Sequence, residues 1–200
     1  MRSSKDRFAL ALLVLLPCVL LAPSRAVPAG DPAITHCAAD ERVQFSCRIG
    51  VKTVSLCAAG KDHAISSLVY RYGAPGRVEY EFVARHDNAH RFYASVAPAS
   101  PGASVRQVWF DRGALRYLLT ECIGGNCPKR AGLAVLRGDR AVMNARCMPA
   151  GENDLGWFRR DLVSFGSDTA SSQSATDLLQ RQDTDNLIDK LYRVTPDPLR

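Results

Sequence analysis

The chain reads as a mostly β fold, a small antiparallel sandwich or barrel stapled by disulfides and followed by a C-terminal helical segment. Three observations carry that reading. Residues 42–147 are a succession of short alternating apolar and polar runs separated by turn residues, which is the pattern of many short strands. Six cysteines, Cys37, Cys47, Cys57, Cys122, Cys127 and Cys147, fall within or beside those runs. An even set of this kind in an exported chain reads as three bridges, and the first residues supply the export signal.

Arg2, Lys5 and Arg7 precede an apolar stretch at 8–22, and Ser24-Arg25-Ala26 places small residues where a signal peptidase reads. Residues 1–26 are therefore expected to be a cleaved signal peptide. The stretch is shorter than the roughly 20 residues that cross a bilayer as a helix, and nothing comparable follows, so no transmembrane anchor is expected. Cys18 follows Leu16-Pro17 instead of the small residue that precedes a lipidated cysteine, and is read as part of the apolar stretch. Cleavage removes Arg2, Lys5, Arg7, Arg25 and Asp6, which takes the formal charge from +6 to +3. No run of Lys or Arg remains to make a nucleic-acid footprint.

A disulfide-stapled β domain is expected over 27–165. Its strands are placed at 42–49, 53–58, 68–72, 77–83, 91–97, 104–110, 114–122, 131–137 and 141–147. Gly50-Val51, Pro75-Gly76, a loop at 98–102, Asp111-Arg112-Gly113 and Gly138-Asp139 supply hairpin chemistry between them.

The first hairpin fixes its own register. Val43, Phe45 and Cys47 alternate with Gln44, Ser46 and Arg48, while Val54 and Leu56 alternate with Thr53, Ser55 and Cys57. A two-residue loop at Gly50-Val51 sets Cys47 opposite Val54 and Phe45 opposite Leu56, so the apolar faces coincide. Cys47 then points inward and Cys57 outward, and residues on opposite faces of one hairpin cannot be bridged. Cys147 shares a face with Met143 and Ala145, which makes it a second inward cysteine. The expected pairs are Cys47 with Cys147, Cys37 with Cys57, and Cys122 with Cys127.

Beyond Cys147, Leu155, Trp157, Phe158, Leu162 and Phe165 offer apolar material to pack back on the domain. The Ser, Thr and Gln-rich residues 166–177 read as a linker. Residues 178–200 read as a C-terminal helix and tail, with 174–177 as a capping box and Pro196 as the stop. On that reading the strands fold without the helix.

Side chains that carry chemistry are few. His86 and His90 have the spacing that puts two imidazoles on one face of a helix, but they lie between strands in a polar segment. No Gly-x-Ser-x-Gly elbow occurs. Glu79 and Glu81 share one strand face, as paired acids in glycosidases do, but they read as the solvent face of an edge-accessible strand. Arg137-Gly138-Asp139 is a good turn. Tyr70, Tyr72, Tyr93, Trp109 and Tyr117 would form a stacking surface wherever they are exposed.

Phe45-Ser46-Cys47, Gly50, Lys52, Val54-Ser55-Leu56-Cys57-Ala58 and Tyr70-Arg71-Tyr72-Gly73 resemble a group of uncharacterised periplasmic bacterial proteins. The Arg- and Tyr-bearing hairpin at 107–119 and the strand ending in Cys147 are more loosely similar to periplasmic β-barrel lysozyme inhibitors. The resemblance implies a short Ser-Gly-containing loop inserted into an enzyme cleft. Ser100-Pro101-Gly102-Ala103-Ser104 is the matching segment, with Pro101 between the Ser and the Gly.

The expected function is that of an exported, non-enzymatic cell-envelope binding protein, with lysozyme-type inhibition as its sharpest form. Ser100, Arg106 and Arg112 are the expected binding residues, an envelope protein or glycan the partner, and no catalytic residue, metal or cofactor is expected. The alternative is a metal-assisted or hydrolytic envelope enzyme using His86 and His90.

Overall fold

The computed structural model describes residues 35–61, 65–125, 127, 131–148, 178–182 and 187. The expected signal peptide with Cys18, the apolar residues of 154–165 and the 166–177 linker lie outside them. Strands β1 (Arg42–Ile49), β2 (Lys52–Ala59), β3 (Ser67–Ala74) and β4 (Arg77–Arg85) form one antiparallel sheet in that order. Strands β5 (Phe92–Ser100), β6 (Ala103–Arg112), β7 (Leu115–Gly124), β8 (Ala131–Arg137), β9 (Arg140–Arg146) and β10 (Leu179–Arg181) form a second, ordered β10-β5-β6-β7-β8-β9. The two sheets stay separate, so the fold is a sandwich and not a closed barrel.

The first hairpin has the expected register. Cys47 stands opposite Val54 and Phe45 opposite Leu56, and Ile49 closes on Lys52 around Gly50-Val51. Phe45, Leu56, Leu68, Tyr70 and Phe82 of the first sheet then meet Phe92, Val108, Phe110, Leu119 and Leu133 of the second in one core. Its centre is aromatic. Phe82 stacks on Phe110 at 4.0 Å, Tyr117 on Phe110 at 4.9 Å, and Tyr80 on Tyr117 at 5.0 Å. Such pairs each add about 0.5–1.5 kcal/mol beyond the area they bury. Burial pushes the Tyr70 phenol well above its ordinary range and, with Tyr117 beside it, raises Tyr80 to about 12. Neither serves as a base near neutral pH.

All three disulfides are those expected: Cys37 with Cys57, Cys47 with Cys147, and Cys122 with Cys127. The second ties the end of β1 to the residue after β9 and so joins the two sheets. Beside it, the Met148 amide donates to the Arg48 carbonyl at 2.8 Å.

Residues 35–41 lie on the outer face of the first sheet, where Cys57 anchors Cys37. Arg71, on the same face of β3, holds them from beneath. Its guanidinium donates to both oxygens of Glu41, to Glu81 at 2.8 Å and to the His36 carbonyl at 3.1 Å. Burial opposes ionisation of the Glu41 carboxyl, but the Arg71 hydrogen bonds, the Ala38 amide and the Arg71 charge outweigh it and hold its pKa below the usual range. A depressed carboxyl pKa stabilises the fold above the unfolded value of about 4.3 and loses that stabilisation as pH falls through the folded value. Glu41→Gln is therefore expected to flatten the acid limb of a stability-against-pH curve. An unchanged acid limb would show that Glu41 is not linked to folding.

The central strands of the second sheet, β6, β7 and β8, have stretches buried on both faces. Val105, Trp109, Leu118, Ala134 and Leu136 alternate with the core residues of their strands and form a second apolar cluster on the outer side. Ser95, Gln107, Thr120 and Gly132 are successive cross-strand neighbours on the same side. Gln107 is fully buried and donates to the Ser95 hydroxyl at 2.9 Å.

The C-terminal segment departs from expectation. Where a helix is expected from residue 178, Leu179–Arg181 is strand β10, parallel to β5 with Leu179 opposite Phe92. Leu178 and Leu179 are 0% and 1% exposed within the central core. Burial and pairing with β5 outweigh the helical preference of Leu, Gln and Arg in so short a segment. Apart from Leu187, the rest of the expected helix lies outside the described residues.

Candidate binding surface

Sequence reading places a five-residue loop at 98–102, but β5 runs through Pro98 to Ser100 and leaves only Pro101-Gly102 as the turn. Pro98 is tolerated because the ladder shifts register between Pro98 and Ser100, and a bulge needs no regular donor there. Pro101 presets its own φ, and Gly102 takes φ 77°, the combination a type II turn requires. Ser100 pairs with Ala103 across this turn.

The turn is backed by the end of β7. Ala103 pairs with Gly124, and a β-carbon on Gly124 would stand 2.4 Å from the Gly102 carbonyl oxygen. One on Gly125 would meet the Pro101 carbonyl oxygen and the Ala103 β-carbon at 3.0 Å each. Only glycines let the two chain reversals abut. Their positive φ values, 75° and 44°, favour glycine independently. The Cys122–Cys127 bridge closes the segment that follows.

On the core-facing side of the second sheet, the apolar core gives way to a polar pair toward this tip. Val96, Arg106, Glu121 and Ala131 are cross-strand neighbours in one row. Val96 is 51% exposed, whereas the Arg106 and Glu121 side chains are 23% and 4% exposed and meet at 3.4 Å. Pro98, Ser104 and Ile123 form the next row, nearer the turn. The result is an exposed turn abutted by the end of β7, beside a partly apolar shelf that carries the Arg106 guanidinium.

The expected binding residues divide between two places. Ser100 and Arg106 belong to the tip. Arg112 lies six residues farther along β6, at its opposite end and roughly 20 Å away by strand rise, so it takes no part in that surface. It sits at the end of the sandwich that carries Tyr80 and Tyr117.

The other candidates are committed elsewhere. His86 and His90 lie in a turn and an extended connection, without the helical register that would align them. His86 Nε2 engages the Ile65 carbonyl at 3.2 Å. His90 Nδ1 engages the Val83 carbonyl at 2.9 Å, and its ring stacks on Phe82. Among the described residues, the one trio with metal-ligand spacing is Cys37, Glu41 and Cys57, whose sulfurs are bridged and whose carboxylate is held by Arg71. Glu79 pairs with Lys52 and Arg77, and Glu81 with Arg71. Arg137-Gly138-Asp139 is an exposed hairpin turn with Gly138 at φ 58°. Of the aromatics, Tyr70 and Trp109 are buried, while Tyr72, Tyr93 and Tyr117 are half-buried. Tyr72 carries Lys52 over its ring, and Tyr93 and Tyr117 stack on Trp109 and Phe110, so each ring has a partner within the protein.

Sequence reasoning misses Glu121 and the Gly124-Gly125 pair. A carboxylate in a strand reads as solvent-facing, and a Gly-Gly reads as an ordinary loop until its neighbour in space is known. Compared with protein-family models, with curated proteins and with solved structures, the chain shows no match.

Proposed function

We propose that the chain is an exported, non-enzymatic protein of the cell envelope whose stapled tip binds a partner protein, in the sharpest form a lysozyme. The observation that carries this reading is the abutment of Pro101-Gly102 against Gly124-Gly125. A turn already held in one conformation loses little entropy on docking, so more of its contact energy appears as affinity. The shelf beside it suits an enzyme cleft lined by carboxylates, because Arg106 offers planar, multiply donating recognition between apolar neighbours. Three disulfides fit an oxidising compartment outside the cytoplasm. An envelope glycan is the weaker partner, because each aromatic ring that would stack on sugars already has a partner within the protein.

Excess protein lacking residues 1–26 is expected to slow turnover by at least one lysozyme class. Ser100→Ala combined with Arg106→Met should weaken that inhibition roughly ten-fold or more. Because Glu121 is buried, Arg106→Met is made together with Glu121→Gln so that no carboxylate is left without its partner. Full inhibition by the triple variant would remove the tip as the binding element.

A further inference from the structure

Residues 178–182 and 187 enter both layers of the molecule. Leu178 and Leu179 fill the central core, while Leu187 packs on the outer cluster of Trp109 and Leu118. Between these anchors β10 adds to β5 in parallel. The Gln182 amide donates to the Ala94 carbonyl and the Leu187 amide to Gln107 Oε1, both at 2.9 Å. These are the contacts by which a sheet takes up an extended peptide: main-chain hydrogen bonds along an edge, with separate pockets for apolar side chains.

Two further features mark the receiving surface. Trp109 Nε1 is buried with no hydrogen-bond partner, within the cluster on which Leu187 packs. The 29 residues 149–177 separate Met148 from Leu178 and can span up to about 95 Å when extended. That length does not oblige the segment to return to its own sheet.

We propose that the β5 edge, with Gln107 and Trp109, is a peptide-accepting groove that residues 178–182 and Leu187 occupy in cis and that takes the same C-terminal segment from a second copy of the chain. Gln107 and Trp109 lie on the opposite face of the second sheet from Arg106, and the groove includes none of the tip residues. The tethered segment competes at an effective concentration in the millimolar range. Exchange therefore becomes visible once the cis segment is weakened.

The test uses the full chain carrying Leu178→Asp and a fluorescently labelled synthetic peptide of residues 176–190. Saturable binding to this variant is expected. Binding should be at least about ten-fold weaker to the wild type and to the same variant with Gln107→Ala, which removes the acceptor of the Leu187 amide. No binding to a variant that keeps a native near-ultraviolet circular dichroism spectrum overturns the proposal. If Leu178→Asp does not fold, hydrogen exchange in the wild type decides. Amides of Gln182 and Leu187 should exchange about 100-fold or more faster than those of Val108 and Leu119, as for a segment that leaves as a unit. Equal rates overturn the proposal.

Discussion

Ending the chain after Phe165 is expected to lower Tm by more than about 10 °C, although the sequence alone assigns everything beyond that point to a linker and a separate helix. Leu178 and Leu179 are 0% and 1% exposed in the central core. Removing a buried leucine side chain costs about 2–5 kcal/mol, and about 1 kcal/mol corresponds to some 2–4 °C in a domain of this size. The truncation also takes away the Leu187 contact to Gln107 and the parallel partner of Phe92 and Ala94. Leu179→Ala in the full chain isolates the core contribution and should cost about 2–5 kcal/mol by denaturant titration. An unchanged Tm in the truncated chain would place residues 178–187 outside the cooperative unit.

The second large effect belongs to the bridge between the sheets. Replacing Cys47 and Cys147 together by Ala opens a link between residues 100 positions apart, for which the chain-entropy relation gives about 4–5 kcal/mol. The same change at Cys122 and Cys127, 5 positions apart, should cost about 2 kcal/mol. Equilibrium unfolding of the two double variants side by side checks the order. If the short bridge proved the more costly, packing at the tip would outweigh loop closure in the unfolded chain.

Most of the strand framework is legible because one rule governs it. Alternation in β1 and β2 sets which cysteines face inward and excludes Cys47–Cys57, and the observed pairs follow once Cys147 is placed inward by its own strand and Cys122 and Cys127 are joined across their short loop. The second buried face of the larger sheet also has a signal, in the unbroken apolar runs Val108-Trp109-Phe110 and Leu133-Ala134-Val135-Leu136, which mark strands covered on both sides. Strand β10 has none. Three residues cannot display a period, and a cap-like Ser174 with Leu, Gln and Arg reads as helix. The tip is half legible: Pro101 and Gly102 announce a turn, but nothing in the order of residues says that Gly124 lies against it. Arg106 is legible as a cation, while its buried partner Glu121 depends on a cross-strand neighbour. Arg112 looks close to Arg106 in sequence, and strand geometry puts the two at opposite ends.

On the proposed function, a prestiffened tip is what the partner meets. The most direct measurement of this is lysozyme turnover, across several lysozyme classes, titrated with the protein lacking residues 1–26 and with its Cys122→Ser, Cys127→Ser variant. The wild type is expected to inhibit at least one class. The unstapled variant, still folded by circular dichroism, is expected to inhibit markedly less because its loop must be ordered on binding. Turnover unaffected by excess wild-type protein in every class, or inhibition indifferent to the Cys122–Cys127 bridge, would rule out a prestiffened tip as the binding element.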